Sequence, residues 1–124
     1  MPKPVDLLKL FLEIDEAIRR IERRFHGINE PDDFISSDDG LDRLDGISMM
    51  LIAISENIRK IDKIIEKDTF DKYPDVNWSQ VKGIRNILAH AYFDIDHDEV
   101  YEICASELEV LKQTLTKIRS DIQI

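Results

Sequence analysis

The chain holds one cysteine, four glycines and four prolines in 124 residues, and each scarcity closes off a class of function. A lone Cys104 permits no internal disulfide and fits a reducing compartment such as the cytoplasm. The glycines are scattered, so no Gly-rich loop can cradle a phosphate, which excludes a P-loop and a dinucleotide-binding fingerprint. No apolar run approaches the roughly 20 residues that span a bilayer, so no membrane association is expected. The N-terminal MPKPVDLLKLFLEIDEA turns acidic too early for a signal peptide. Positive charge is also short: 17 Lys and Arg against 26 Asp and Glu leave a formal net charge of −9. That balance argues against a broad nucleic-acid-binding surface and against DNA as a partner, so any RNA contact must be local. An acidic chain also suits a basic or charge-patterned protein partner.

What is present is helical patterning. With 43% hydrophobic and 35% charged residues, the composition is that of a soluble, strongly helical protein, and the length suits one domain over residues 1–124. Leu7, Phe11, Ile14, Ile18, Ile21 and Phe25 step by four and three, one buried helical stripe that ends at Gly27 and Pro31. A second stripe runs Leu44, Ile47, Leu51, Ile54, Ile58, Ile61, Ile65, on a helix from about Leu41 to Lys67 that would be roughly 40 Å long. Ser37 and Asp38 are its candidate caps. Met49, Met50 and Ile52 lie off that stripe, so this helix is either buried on two sides of its own bundle or packs a second face against another subunit. The stretch NWSQ reads as a capping box, Asn77 to Gln80, opening a short third helix from Trp78 to Ala89. Asp96, with Glu99 reaching back, caps a last helix whose stripe is Val100, Cys104, Leu108, Leu111, Leu115, Ile118, Ile122. Cys104 on that stripe reads as a small core residue. The expected fold is all-α, a small antiparallel bundle of three long helices and one short one.

The chemistry concentrates in the third helix. Trp78, Val81, Arg85 and Leu88 share one stripe, and a buried Arg there would need a negative partner, for which Glu56 on the long helix is a candidate. The segment VNWSQVKGIRNILAHAYF contains no acid, so Lys82 and Arg85 make a local island of +2, sharpened by His90 when protonated. Arg85 and His90 are about 140° apart on an ideal helix, so they reach one phosphate only if the helix ends near His90 or the site is built across a two-fold axis. Asn86 lies at i, i+4 from His90 and could orient its imidazole. This set suits metal-independent cleavage of an RNA phosphodiester. His90 would take the proton from a 2′-hydroxyl or give one to the leaving oxygen, Arg85 would stabilise the phosphorane charge, and Tyr92 would hold a phosphate oxygen or stack on a base. Lys82 would contact the RNA.

Other polar residues have plainer readings. Asp94, Asp96, His97 and Asp98 lack the Gly and Glu spacing of a calcium loop, and capping accounts better for Asp96 and Glu99, so no metal is assigned. His26 fits a helix C-terminus, where a cation is favoured. The run RRIERR, Arg19 to Arg24, interleaves with Glu16 and Glu22 as a solvated face, and in a dimer it could guide RNA towards the cleft.

The stretch RNILAHAY followed by FDID resembles the Arg-x4-His-x-Tyr signature of HEPN-domain proteins, specifically the HepT-like group formerly called DUF86. DGISMMLIAISENIRKIDKI, YPDVNWSQVKGIRNILAHAYFDID and the VYEIC to LEVLKQTL end resemble that group's order of elements over nearly the whole chain. The resemblance implies a helical bundle that homodimerises through a helical face, with two RNase sites close together in the dimer cleft. It implies a toxin that cleaves RNA without a cofactor, partnered by an MntA-like minimal nucleotidyltransferase antitoxin that transfers AMP to the motif Tyr. Carried over by position, Arg85 and His90 are catalytic, Asn86 is supporting and Tyr92 is the AMPylation target. Glu56 falls where the family has an acidic residue after Gly; this chain has Ser55 in place of that Gly. A different class stays open: a catalytically silent helical module that binds a nucleotide or docks the nucleotidyltransferase.

Overall fold

Two pairs of side-chain contacts set the direction of the three long helices. The computed structural model describes residues 4–88 and 93–124. In it α1 spans Pro4–Phe25, α2 Asp38–Ile64 and α6 Leu108–Ile122. Asn57 of α2 donates to the Leu10 carbonyl at 3.1 Å, while Arg43 donates to the Arg24 and His26 carbonyls at 3.0 and 2.6 Å. Higher numbers on α2 meet lower numbers on α1, so the pair is antiparallel. Lys112 pairs with Glu22 and Arg119 with Asp15, each at 3.1 Å, so α6 also runs antiparallel to α1. Every regular element among the described residues is helical, and the all-α antiparallel bundle expected from the sequence is what forms. None of these helices is long and apolar enough to cross a membrane.

The stripes read from the sequence form the core. Phe11, Ile14, Ile18 and Ile21 of α1 are buried, as are Leu44, Ile47, Leu51, Ile54, Ile58 and Ile61 of α2 and Leu108, Leu111, Leu115 and Ile118 of α6. They meet in one cluster with Phe34 and Phe70, which two single 3₁₀ turns, Pro31–Phe34 and Phe70–Lys72, fold inward from the connections. Burying each such side chain contributes about 1.5–3 kcal/mol of transfer free energy. Ser37 is the cap of α2, its hydroxyl accepting from the Gly40 N–H at 3.0 Å, and α2 starts three residues earlier than expected. Of the off-stripe residues, Met50 packs part-buried against the core, Ile52 is half-buried, and Met49 is 67% exposed. The RRIERR run is not wholly a solvated face. Arg24 is part-buried across Gly46, where a Cβ would lie 2.5 Å from its Nε.

Two expectations about continuity are corrected. The third helix is two short ones, α3 Trp78–Lys82 and α4 Ile84–Leu88, broken at Gly83. The last helix is α5 His97–Glu102 followed by a π turn, Ile103–Glu107, and then α6. A π turn holds one residue more than an α turn, so the core position in that turn is Ile103, five before the buried Leu108. Cys104 consequently flanks the core, part-buried, and burial pushes its thiol pKa up to about 12. Both capping boxes are half-formed. Asn77 accepts from the Gln80 N–H and Asp96 from the Glu99 N–H, each at 3.1 Å. The side chains of Gln80 and Glu99, instead of reaching back, bond each other at 3.4 Å and tie α3 to α5.

Candidate functional site

The break at Gly83 organises everything around Arg85. On a straight helix Arg85 would lie roughly 20° from Trp78 and so in the middle of the apolar stripe. In the structure α4 buries Ile84 and Leu88 instead, at 5% and 1% exposure, and both Arg85 and Asn86 face solvent. Arg85 is therefore not buried on the stripe, the case in which Glu56 was a candidate partner. Arg85 needs no buried counter-ion, Glu56 is exposed on α2, and no ion pair joins either of them to another group among the described residues. Leaving a guanidinium in water avoids the desolvation cost of burying it.

The break is held from α2. Ser55, 3% exposed, donates its hydroxyl to the Lys82 carbonyl at 3.0 Å, and Arg59 Nη1 donates to the same oxygen at 3.2 Å. The Lys82 side chain is held too, its Nζ 2.6 Å from Asp62 Oδ2 and 5.6 Å from the centre of the Phe70 ring. Phe70 in turn stacks on Trp78, ring centroids 4.2 Å apart. The local island of +2 is thus reduced: Asp62 answers Lys82, and Arg85 is the cation of that segment that meets no carboxylate among the described residues. Lys82, read from sequence as an RNA contact, sits in a cluster built by α2. Arg59 and Asp62 were missed by the sequence reading, although Ser55, Arg59 and Asp62 carry the i, i+4, i+7 spacing of one helix face.

The far end of α4 is anchored as well. The Asp96 N–H donates to the Leu88 carbonyl at 2.8 Å, joining the last residue of α4 to the cap of α5. His90 and Tyr92, and with them the convergence of Arg85 with His90, lie outside the described residues. Phe93, immediately after them, is fully exposed. Asp96 is engaged as the α5 cap, and His97 stands 3.8 Å from Asp32 and 3.9 Å from Asp98. The exposed α4 surface thus offers a guanidinium and an amide, a two-pronged cationic donor beside a neutral hydrogen-bonding group, which fits a phosphodiester or another planar or tetrahedral oxyanion.

Comparison with known proteins gives this surface a context. Residues 14–118 match the family described as "Ribonuclease HepT-like". Three curated relatives come from Methanocaldococcus jannaschii. "Putative RNase MJ1380" is 32% identical over 63% of this chain and 65% of its own. "Putative RNase MJ1216" is 32% identical over 62% of this chain and 64% of its own, and "Putative RNase MJ0125" is 32% identical over 62% and 66%. The match thus spans slightly less than two thirds of each relative's length. No solved structure matches the chain.

Proposed function

The chain belongs to the HepT-like ribonuclease family, and on that footing we propose that it is a metal-independent endoribonuclease acting as the toxin of a toxin–antitoxin pair. The observation that supports this reading best is Arg85: exposed, unpaired among the described residues, and carried on the family's Arg-x4-His-x-Tyr motif in a chain of net charge −9. A family-wide ribonuclease role and the relatives' names support the reaction class.

In this reaction the 2′-oxygen of a ribose forms a bond to phosphorus, the bond from phosphorus to the 5′-oxygen breaks, and a proton passes from the 2′-hydroxyl to the leaving oxygen. His90 handles the proton, taking it from the one oxygen or supplying it to the other. Arg85 offers two N–H groups to the phosphorane, whose charge exceeds that of the substrate, so the interaction strengthens in the transition state. Asn86 orients the imidazole, and Glu56 supports the site from α2. Lys82 adds to RNA attraction only where a phosphate displaces Asp62. A second copy packs against the exposed edge of α2, where Met49 stands beside half-buried Ile52, and brings two sites into one cleft. Tyr92 is the acceptor of AMP from an MntA-like minimal nucleotidyltransferase, and the added phosphate would meet Arg85 with negative charge and displace RNA.

The test is cleavage of a labelled RNA in excess EDTA by the wild type, Arg85→Ala and His90→Ala, with intact mass measured after coexpression with an MntA-like minimal nucleotidyltransferase. Cleavage lost in both variants, and a mass gain of AMP units mapping to Tyr92, are the expected results. An adduct without cleavage by the unmodified chain would instead identify a docking module with no nuclease activity of its own.

A further inference from the structure

We infer that Ser55, Arg59 and Asp62 are positioning residues for Arg85: a clasp on Lys82 that holds the helix break at Gly83 and so turns Arg85 out of the apolar stripe. Its catalytic consequence rests on the ribonuclease reading; its structural content does not.

The hydrogen bonds describe a competition for one oxygen. In a continuous helix the Lys82 carbonyl would accept from the Asn86 N–H. Here the Asn86 N–H goes to the Gly83 carbonyl at 3.0 Å, with the Ile87 N–H on the same oxygen at 3.3 Å. The Lys82 carbonyl is released from the helix ladder and taken by Ser55 Oγ and Arg59 Nη1. Ser55 is buried, so water cannot readily replace its hydroxyl, and the part-buried Lys82 carbonyl would lose a hydrogen bond without it. The ion pair with Asp62 holds the other end of the same residue, so α2 grips Lys82 at backbone and side chain together.

Nothing local at Gly83 demands the break. Its φ is −97° and ψ 12°, open to any residue, and a Cβ would meet nothing nearer than the Ser79 carbonyl at 3.4 Å. The sequence VKGIRN would continue as a helix if left to propensity, with Gly83 a modest penalty. The tertiary donors decide the matter. The result is that the inward face shifts from Trp78 and Val81 in α3 to Ile84 and Leu88 in α4, a turn of roughly 70° on helical geometry. Arg85, otherwise central to the stripe, comes to its edge and into solvent.

The experiment uses the full chain with Ser55→Ala/Arg59→Met, which removes both donors, and Gly83→Ala, which favours a continuous helix without touching the clasp. Helicity and a cooperative thermal transition establish folding. Phenylglyoxal labelling, read by peptide mass, measures access to Arg85, with Arg23 as an internal reference. The double variant should lower Arg85 labelling about fivefold relative to Arg23, as a side chain drawn into the stripe requires, whereas Gly83→Ala, with both donors in place, should leave it unchanged. Unchanged labelling in the folded double variant, or a fall in Gly83→Ala with both donors in place, overturns the clasp; if the double variant does not fold, Ser55→Ala alone carries the same test. This readout stands whether or not the wild type cuts RNA. If it does cut, kcat should fall about tenfold in the double variant with KM changed by less than about threefold, the signature of a misplaced transition-state contact. A raised KM with kcat intact would overturn positioning and return Lys82 and its neighbours to simple RNA binding.

Discussion

The Asp96 N–H donates to the Leu88 carbonyl at 2.8 Å, and the Asp96 carboxylate accepts from the Glu99 N–H at 3.1 Å. One residue therefore anchors the end of α4 and starts the helix that follows it. Asp96→Ala leaves the backbone bond and removes the cap, which should cost about 1 kcal/mol in urea unfolding, whereas Asp96→Asn should cost a few tenths. Equal losses in the two variants would show that the carboxylate's charge, not its cap geometry, matters here.

Arg85 is exposed, so its removal should act on chemistry and leave stability alone. Arg85→Ala should lower RNA cleavage by about 10²-fold or more, with Tm within about 1 °C of wild type. Arg85→Lys should recover little, because an ammonium cannot make the two parallel contacts of a guanidinium. A large Tm drop in Arg85→Ala would mean that the side chain is structural and that the catalytic interpretation has to be withdrawn.

Ile58 and Met49 lie nine residues apart on α2 and should behave oppositely. Ile58 is fully buried, so Ile58→Ala should cost about 2–5 kcal/mol. Met49, at 67% exposure, contributes little within one chain. If a second copy covers it, Met49→Lys should weaken self-association in sedimentation velocity while the Tm of the separated chains stays put. An unchanged sedimentation profile in a protein that does dimerise would place the interface elsewhere.

Glu16 is hydrogen-bonded by Arg19 and Arg20, which hold its carboxyl down at about 2 against an ordinary 4.5. A folded pKa below the unfolded one stabilises the protein above the unfolded value, and the gain is lost as pH falls towards the folded one. Wild type and Glu16→Gln should differ slightly in Tm at pH 7, the pair being exposed, and converge between about pH 4.5 and pH 2. A gap that widens on acidification would refute this linkage.

Cys104 should be nearly inert. With its thiol held at about 12 by burial, thiolate is scarce at pH 8, and a thiol-reactive disulfide reagent should label it far more slowly in the native protein than in urea. The sign of the linkage follows: the folded state favours the thiol, so stability attributable to Cys104 declines as pH rises above its ordinary value of 9. Rapid native labelling would show that the π turn opens on the timescale of the reaction.

The hydrophobic stripes of α1, α2 and α6 could be read directly because each is a periodic string of large apolar residues, and burying one face of a helix is nearly a local property of its sequence. The caps at Ser37, Asn77 and Asp96 were legible for the same reason, since a cap acts within three residues of itself. The family was legible in the order of residue types along the chain. What only the tertiary structure decided lies at two interruptions. The π turn moved the core from Cys104 to Ile103, and the break at Gly83 turned Arg85 from the stripe to the surface. The break at Gly83 depends on groups distant in sequence. Ser55 and Arg59 reach the Lys82 carbonyl from 27 and 23 residues away, and Gln80 finds Glu99 across 19. Period and propensity describe a helix as if it were alone, and they cannot say which backbone oxygen a neighbouring helix will claim.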